Sequence, residues 1–159
     1  MPADDLINLV NKIKTELEGI ETTGVAGNAK SGVKFKQVFT RPTTKYDALP
    51  AAHILESDIE SDFDTQNTNL RVYPYQVYLV CGLELEGWTV DECWDTCREL
   101  YARTLDAFDN SNDLDAECDI LEPSTMPWDF ARTNLGLALV ATLTLRCKKE
   151  VAAHQYLGE

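Results

Sequence analysis

One stretch of sequence, residues 70–110, most limits what this chain can fold into. In its first part every second residue is apolar: Tyr73, Tyr75, Val77, Leu79, Cys81, Leu83 and Leu85. A period of two is that of a β-strand with one side against a core. The other phase carries Val72, Tyr78 and Val80. This second apolar face predicts a central strand, or a face covered by another layer or subunit.

The second part of the stretch predicts a helix. Thr89 is placed as the N-cap, and Glu92, three residues later, completes a capping box. Trp88 is placed to pack on Cys93 as a hydrophobic staple. Apolar residues at spacings of three and four predict one buried stripe, formed by Val90, Trp94, Cys97, Tyr101, Leu105 and Phe108. The polar residues 109–112 end the helix.

The rest of the chain predicts one more helix and four more strands. The helix spans residues 3–20, and the strands span residues 33–39, 49–55, 115–121 and 134–147. Pro50 places the second of these strands at a sheet edge. The predicted fold is α+β, with a mixed or antiparallel sheet of about five strands and two main helices in the order α-β-β-β-α-β-β. The length of 159 residues predicts a single domain with its core at about 3–149 and a C-terminal tail at 148–159.

Three segments between these elements predict loops. Residues 22–32 are rich in glycine and predict a flexible turn without a phosphate-binding pattern. Residues 56–69 are acidic and predict either a surface loop or a segment that orders on meeting a partner. They lack the glycine and terminal glutamate of a calcium-binding EF-hand loop. Residues 122–133 carry Met126, Trp128 and Phe130, which either fold back onto the domain or are presented to a partner.

The net charge of −13 argues against nucleic acids and anionic membrane surfaces as partners. Nucleic-acid binding needs clustered Lys and Arg, and anionic membranes attract basic segments. Simple solubility also accounts for such a charge. No apolar run is long enough for a membrane span, and acids lie where a signal peptide carries basic residues, so we expect a cytosol-like compartment. Five cysteines, an odd number, cannot all pair within the chain.

The sequence predicts no catalytic, cofactor or metal site. Cys93 and Cys97 are one helical turn apart, but a zinc site needs four ligands and the two histidines, His53 and His154, lie far away in sequence. Core packing is the better interpretation of Cys97. No cysteine lies at a strand-to-helix elbow, where a thiolate would be stabilised. We therefore expect that the chain is not an enzyme.

The arrangement of these elements resembles a known family. Residues 46–52 (YDALPAA) lead into a strand, an acidic loop follows, and residues 69–73 (NLRVY) open the long strand. A helix that begins at Trp88 then precedes a hairpin-like pair of strands. This order, over about residues 3–149, resembles the tail-terminator, or tail-completion, proteins of long-tailed bacteriophages. The resemblance lies in arrangement and spacing and not in a catalytic signature.

The resemblance implies a structural role in the virion. Such proteins form a ring, usually of six copies, on the end of the tail tube, stop its polymerisation and offer a surface to the neck proteins of the head. Implied partners are further copies of the chain, the tail tube protein and a head-completion or stopper protein. DNA would pass through the lumen without specific binding, and the ring would assemble in the host cytoplasm. The predicted interface residues are Asp58, Glu60, Asp62, Phe63, Asp64, Arg71, Met126, Trp128 and Phe130.

Other interpretations stay open at this point. The alternative within the same class is another neck component, such as a head-completion or stopper protein, or a tail tube protein of similar fold. The alternative from a different class is a small acidic cytosolic adaptor or a nucleic-acid mimic. That function predicts a complex with a basic protein that competes with DNA and weakens with salt. A cysteine-dependent hydrolase is the remaining enzyme alternative.

Overall fold

The computed structural model of the chain describes residues 2–63, 68–111, 114, 118–124 and 126–152. Within them the elements are α1 (Pro2–Glu18), β1 (Gln37–Phe39), β2 (Ala51–Glu56), β3 (Glu60–Phe63), β4 (Thr68–Gly82), α2 (Val90–Asn110), β5 (Ile120–Pro123), β6 (Trp128–Thr133) and β7 (Gly136–Ala152). All seven strands belong to one sheet. The predicted α+β class, with two helices and a mixed sheet, is confirmed.

The seven strands occupy five positions across the sheet. β2 and β3 both pair with the same side of β4, and β5 and β6 both pair with the same side of β7. β1 lies outside β2 and is parallel to it, whereas every other pair is antiparallel. The five predicted strands correspond to β1, β2, β4, β5 and β7, one at each position, and β3 and β6 are the two that the sequence did not predict.

The centre of the sheet is the pair formed by β4 and β7. The two strands are paired along the whole of β4, from Thr68 opposite Ala152 to Gly82 opposite Ala138. The predicted apolar phase faces the core, where Tyr73, Tyr75, Val77, Leu79, Cys81 and Leu83 are buried. β7 contributes the matching phase: Leu139, Ala141, Leu143, Leu145 and Cys147. Paired residues point to the same side of a sheet, so these two rows form one continuous apolar surface.

Both helices pack on this surface. Leu9, Ile13 and Leu17 of α1 are fully buried, and they belong to the same core cluster as the buried residues of α2. The Tyr75 hydroxyl donates a hydrogen bond to the Leu6 carbonyl (3.3 Å), which ties α1 to β4. One face of the sheet is therefore covered by helices.

The start of α2 has the predicted cap. Thr89 accepts from the Glu92 N–H group, and the Glu92 side chain accepts from the Thr89 N–H group. Trp88 packs against the core cluster that contains Cys93. One part of the predicted stripe is wrong, because Val90 is 66% exposed. The buried side starts only at Cys93, one turn into the helix.

The opposite face of the sheet carries a second, smaller core cluster near one end. Tyr46 and Leu49, from the segment before β2, form a smaller cluster with Ala51, Val80 and Ala138. Further along this face Gln76, Tyr78, Thr142 and Thr144 are partly exposed. The two-sided burial predicted for the long strand therefore holds over part of its length.

Several predicted boundaries are wrong for one shared reason. The predicted loops at 56–69 and 122–133 contain β3 and β6, and the predicted tail contains the end of β7. These segments pair through backbone groups with β4 and β7, and such pairing does not need an apolar alternation. β1 lies outside β2 at residues 51–53, so only the end of β2 is at an edge among the described strands. Pro50 precedes the strand, and the Pro50 carbonyl accepts from the Lys36 N–H group (2.7 Å). β1 is also shorter than the predicted strand at 33–39.

The Tyr101 side chain links α2 to both central strands. Its hydroxyl lies at hydrogen-bond distance from the carbonyl oxygens of Leu79 in β4 (2.9 Å) and Leu139 in β7. The ring is fully buried, and burial raises the pKa of Tyr101 well above its usual value. The hydroxyl is therefore a donor at neutral pH, and its proton is shared between the two carbonyl groups.

Tyr101→Phe should lower the free energy of unfolding by about 1–2 kcal/mol, because two buried carbonyl groups lose a donor. Urea unfolding followed by circular dichroism measures this change. Tyr78→Phe is the matched control, since Tyr78 is partly exposed and its hydroxyl donates to the Gln76 side chain (2.5 Å) instead of to a buried carbonyl group. We expect the control to change stability by less than about 0.5 kcal/mol. Equal losses in the two variants would contradict the proposed link.

Candidate interaction surfaces

The strand β6 forms one free edge of the sheet. The carbonyl of Pro127 accepts from the Thr142 N–H group (3.1 Å), which fixes the alternation of the β6–β7 ladder. In an antiparallel pair, successive residues direct their backbone groups to alternate sides. Asp129 and Ala131 therefore bond to β7, whereas Trp128, Phe130 and Arg132 direct theirs outward. No strand in the described residues pairs with that outward side.

One outward group of β6 already has a partner. The Phe130 N–H group donates to the Asp129 Oδ1 atom (2.8 Å). A carboxylate that binds an outward N–H group is one way in which proteins protect a strand edge from uncontrolled pairing. Because Asp129 is exposed, this bond can be exchanged for one to another chain.

Two aromatic residues of β6 lie beside α2. Trp128 and Phe130 are 45% and 56% exposed. The Trp128 ring meets the Tyr101 ring edge-on, with 5.6 Å between centroids, and the Phe130 ring meets the Trp94 ring likewise at 5.8 Å. The Arg98 guanidinium lies 5.4 Å from the centroid of Trp94. We call Trp94, Arg98, Trp128 and Phe130 the aromatic patch.

The aromatic and methionine side chains of the 122–133 segment differ in burial. Met126 packs against the main core, so it is folded back. Trp128 and Phe130 each rest on a ring of α2 but leave about half of their surface exposed. An ordered and exposed pair of aromatic rings is typical of the centre of a protein interface.

The second free edge is acidic. β1 pairs only with Ala51, Ala52 and His53, so the remainder of β2 and all of β3 have no strand outside them in the described residues. We call residues 54–63 the acidic edge. Glu56 and Asp58 are exposed, and Leu55 and Ile59 are 36% and 46% exposed.

The other predicted acidic-loop residues extend this edge. Glu60, Asp62 and Phe63 lie in β3, where they are opposite Val72, Leu70 and Asn69 of β4. The structure describes the backbone of these three residues and not their side chains. Asp64 lies outside the described residues.

Arg71 lies in the same alternating row of β4 as Tyr73, on the face that the helices cover. It is 5% exposed, and it is adjacent to Tyr73, whose hydroxyl donates to Asp5 (3.4 Å). Burial raises the pKa of Tyr73, although the hydrogen bond and the positive charge of Arg71 oppose this shift. Lys149 also bonds to Asp5 (2.8 Å). This cluster ties the start of α1 to the sheet, so the predicted interface role of Arg71 stays a prediction that its burial disfavours.

The open part of the other sheet face carries a stacked pair of rings. The His53 and Tyr78 rings are 4.9 Å apart at an interplanar angle of 18°. Burial lowers the pKa of His53, so its imidazole is neutral near pH 7. Its Nδ1 atom is buried and has no hydrogen-bond partner among the described residues.

The segment 22–32 is not the flexible turn that its glycines predict. The N–H groups of Thr23 and Gly24 donate to the Glu99 carboxylate of α2 (2.6 and 2.9 Å). The Asn28 N–H group donates to Asp95 (2.8 Å), one helical turn earlier. Two carboxylates spaced by four residues on the outer side of a helix were the available sequence signal. Such carboxylates can accept hydrogen bonds from the backbone N–H groups of another segment as readily as from water.

The contact between residues 22–32 and α2 stabilises the ionised forms of Asp95 and Glu99. Burial alone would raise the pKa of Glu99, but the Thr23 N–H group and the Arg103 guanidinium lower it overall. The Asn28 N–H group and then Arg98 lower the pKa of Asp95. Both carboxylates are therefore ionised at neutral pH and bind the segment in that form.

The cysteines are packed in the interior of the domain. All five are free and buried, and the predicted core packing of Cys97 is confirmed by its complete burial. Burial raises the pKa of Cys93, and contact with the Cys97 thiol, followed by burial, raises that of Cys81. A reactive thiol has a lowered pKa and is accessible. In the described part of the chain no three His, Cys, Asp or Glu residues are grouped as metal ligands.

Comparison with known proteins does not identify a relative. No protein-family model matches the sequence, and the search of curated proteins gives no match. Among the described residues, neither helix is both long and apolar enough to cross a lipid bilayer. The two free edges and the aromatic patch are therefore the starting point for inferring a function.

Glu99→Gln should release the 22–32 segment from α2, because a neutral amide oxygen accepts hydrogen bonds more weakly than a carboxylate. We expect hydrogen exchange at Thr23 and Gly24 to accelerate roughly fivefold, the equivalent of about 1 kcal/mol. Asp106→Asn is the control, since Asp106 is an exposed residue of the same helix. Unchanged exchange at Thr23 and Gly24 would contradict the anchoring role of Glu99.

The same contact predicts a pH dependence. The pKa values of Asp95 and Glu99 are lower in the folded protein than the ordinary values of 3.8 and 4.5. A lowered carboxyl pKa contributes stability that is present above the ordinary value and is lost as pH falls through the folded value. Exchange at Thr23, corrected for its intrinsic pH dependence, should therefore accelerate below about pH 4.5. Glu99→Gln should reduce this acceleration, and an identical pH profile in the variant would contradict the assignment.

Proposed function

We propose that this chain is a virion structural protein of the tail-terminator type. Copies of it form a ring, most simply of six, that caps the tail tube of a long-tailed bacteriophage and stops its polymerisation. The exposed side of the ring receives the neck of the head. In this proposal the chain has no catalytic activity and binds no cofactor.

The observation that carries the proposal is that two different edges, on opposite sides of one sheet, have no strand outside them among the described residues. One is β6 with its aromatic patch, and the other is the acidic edge at residues 54–63. A closed ring requires a heterologous contact, in which one patch of a subunit binds a different patch of the next. A subunit that carries two dissimilar edges meets this requirement.

The charge of the chain also supports the proposal. A net charge of −13 on each copy gives a ring an acidic character. An acidic lumen repels phosphate and so allows DNA to pass without being held. The open sheet face around His53 and Tyr78 adds surface that a tube or neck protein can cover.

A neck stopper or a tail tube protein would also use two dissimilar edges. Deletion of the gene separates these functions, because loss of a terminator gives overlong tails and loss of a stopper gives heads that leak DNA or carry no tail. The acidic edge favours one function of another class, an acidic adaptor or nucleic-acid mimic. That function predicts a complex with a basic protein that DNA competes for and that salt weakens.

The direct test is the assembly state of the purified chain. We expect mass photometry and negative-stain images to show a ring with a central hole, and the ring to shorten the tubes formed by purified tail tube protein. Lysozyme, a basic protein of similar size, is the control. Binding of the acidic chain to lysozyme would report non-specific attraction by charge. A chain that stays monomeric at every concentration tested and leaves tube length unchanged would overturn the proposal.

A further inference from the structure

A cleft of about 320 Å³ lies where the residues that precede β1, β2 and α2 meet. We propose that it binds an acidic segment of another protein, with one bulky apolar side chain of that segment inside it and flanking carboxylates at its rim. We call it the Trp88 cleft, and its lining residues are Gly32, Val33, Lys34, Lys36, Leu49, Pro50 and Trp88. This inference goes beyond the proposed ring and does not depend on it.

The interior of the Trp88 cleft is apolar. Leu49 and Pro50 are buried, and Val33 and Trp88 are partly exposed beside them. Val90, two residues after Trp88, is 66% exposed, although its position in α2 predicts burial. An aromatic ring next to aliphatic side chains favours contact with a bulky apolar group, because the contact removes hydrophobic surface from water.

Backbone polar groups of the lining residues are already paired within the chain. The N–H groups of Gly32 and Val33 donate to the Thr22 carbonyl and hydroxyl (2.7 and 3.0 Å), and the Val33 carbonyl accepts from the Thr22 N–H group (3.0 Å). The Pro50 carbonyl accepts from the Lys36 N–H group (2.7 Å). These groups are therefore satisfied without a ligand.

This pairing favours an apolar side chain over a nucleobase. Recognition of a base uses hydrogen bonds to its edges together with stacking on an aromatic ring. The paired backbone groups of the cleft do not offer such bonds. The Lys30 ammonium group also lies over the Trp88 ring, 5.7 Å from its centroid, so this side of the ring is not open for stacking.

The rim of the Trp88 cleft is basic, although the chain as a whole carries a net charge of −13. Lys34 and Lys36 are exposed, and neither has an ion-pair partner among the described residues. Phe35 between them is buried, so both lysines lie on the outer side of this segment. Glu21, opposite Lys34 in an isolated β-bridge, offsets part of this charge. The rim is therefore complementary to carboxylates on either side of an apolar residue.

Nuclear magnetic resonance of isotope-labelled protein tests the position of the site. The probe is a short synthetic peptide with a Leu-Phe pair between glutamates. Its addition should shift the indole N–H signal of Trp88 and the amide signals of Lys34 and Lys36. The indole signal of Trp128, on β6 at the other side of the sheet, is the internal control and should stay in place. Shifts at Trp128 without shifts at Trp88 would overturn the proposal.

Altered probes test the chemistry of the ligand. Replacing the Leu-Phe pair by alanines should weaken binding about tenfold, since the apolar contact is lost. Replacing the glutamates by lysines should abolish binding, and added salt should weaken binding of the original probe. An alanine peptide that binds equally well would contradict the apolar anchor. An oligothymidylate that displaces the original probe at equal concentration would overturn the proposal in favour of nucleic acid.

Charge variants of the protein test the rim. Lys36→Glu should weaken peptide binding about fivefold, because it places an acid where a carboxylate of the ligand binds. Glu21→Gln should strengthen binding about twofold. Arg132→Glu is the matched control, since it makes the same change in net charge at an exposed position of β6. Equal losses in Lys36→Glu and Arg132→Glu would contradict the proposed site.

The same variants separate another protein from a second copy as the occupant. Ile59 is 46% exposed and follows Asp58, so the chain itself carries an apolar residue beside an acid. Mass photometry should show that Lys36→Glu leaves the oligomeric state of the purified chain unchanged while peptide binding weakens. Loss of assembly in Lys36→Glu but not in Arg132→Glu would identify a contact between copies and overturn the proposal of a different protein.

Discussion

The pairing of β4 with β7 is the interaction on which the rest of the structure depends. It joins two of the longest elements of the chain along the full length of β4. Because paired side chains share a face, it also aligns two apolar rows into the surface on which both helices pack. Tyr101 connects α2 to carbonyl groups of both strands, so the helix layer and the central pair are held at a shared point.

The same pairing creates the surfaces that we connect to function. β4 and β7 are longer than any strand beside them, so each outer position is filled by two short strands in succession: β2 and β3 on one side, β5 and β6 on the other. Within the part of the chain that the structure describes, the short outer strands leave an edge without a further strand at each side of the sheet. One edge is acidic and the other is aromatic. Two dissimilar edges favour head-to-tail assembly over a symmetric dimer.

The sequence predicts those parts of the fold in which the side chains themselves carry the pattern. The alternation from Tyr73 to Leu83 and the cap at Thr89 are correct because burial and capping select residue types directly. β3 and β6 were not predictable in this way, since their backbones pair with longer strands and their own short sequences carry no sustained apolar alternation. The anchoring of residues 22–32 by Glu99 depends on a contact between distant parts of the chain, and no local pattern reports it. Trp128 and Phe130 were recognised as candidates, but only the ring contacts show how they are held.

The central claim is that copies of the chain assemble into a ring and that the β6 edge is covered in that assembly. Hydrogen exchange at Trp128 and Arg132, compared between dilute subunit and assembled ring, measures this most directly. These N–H groups point away from β7, so they should exchange rapidly in the subunit and become strongly protected in the ring. Equal exchange in the two states, in a sample shown to be assembled, would contradict the account.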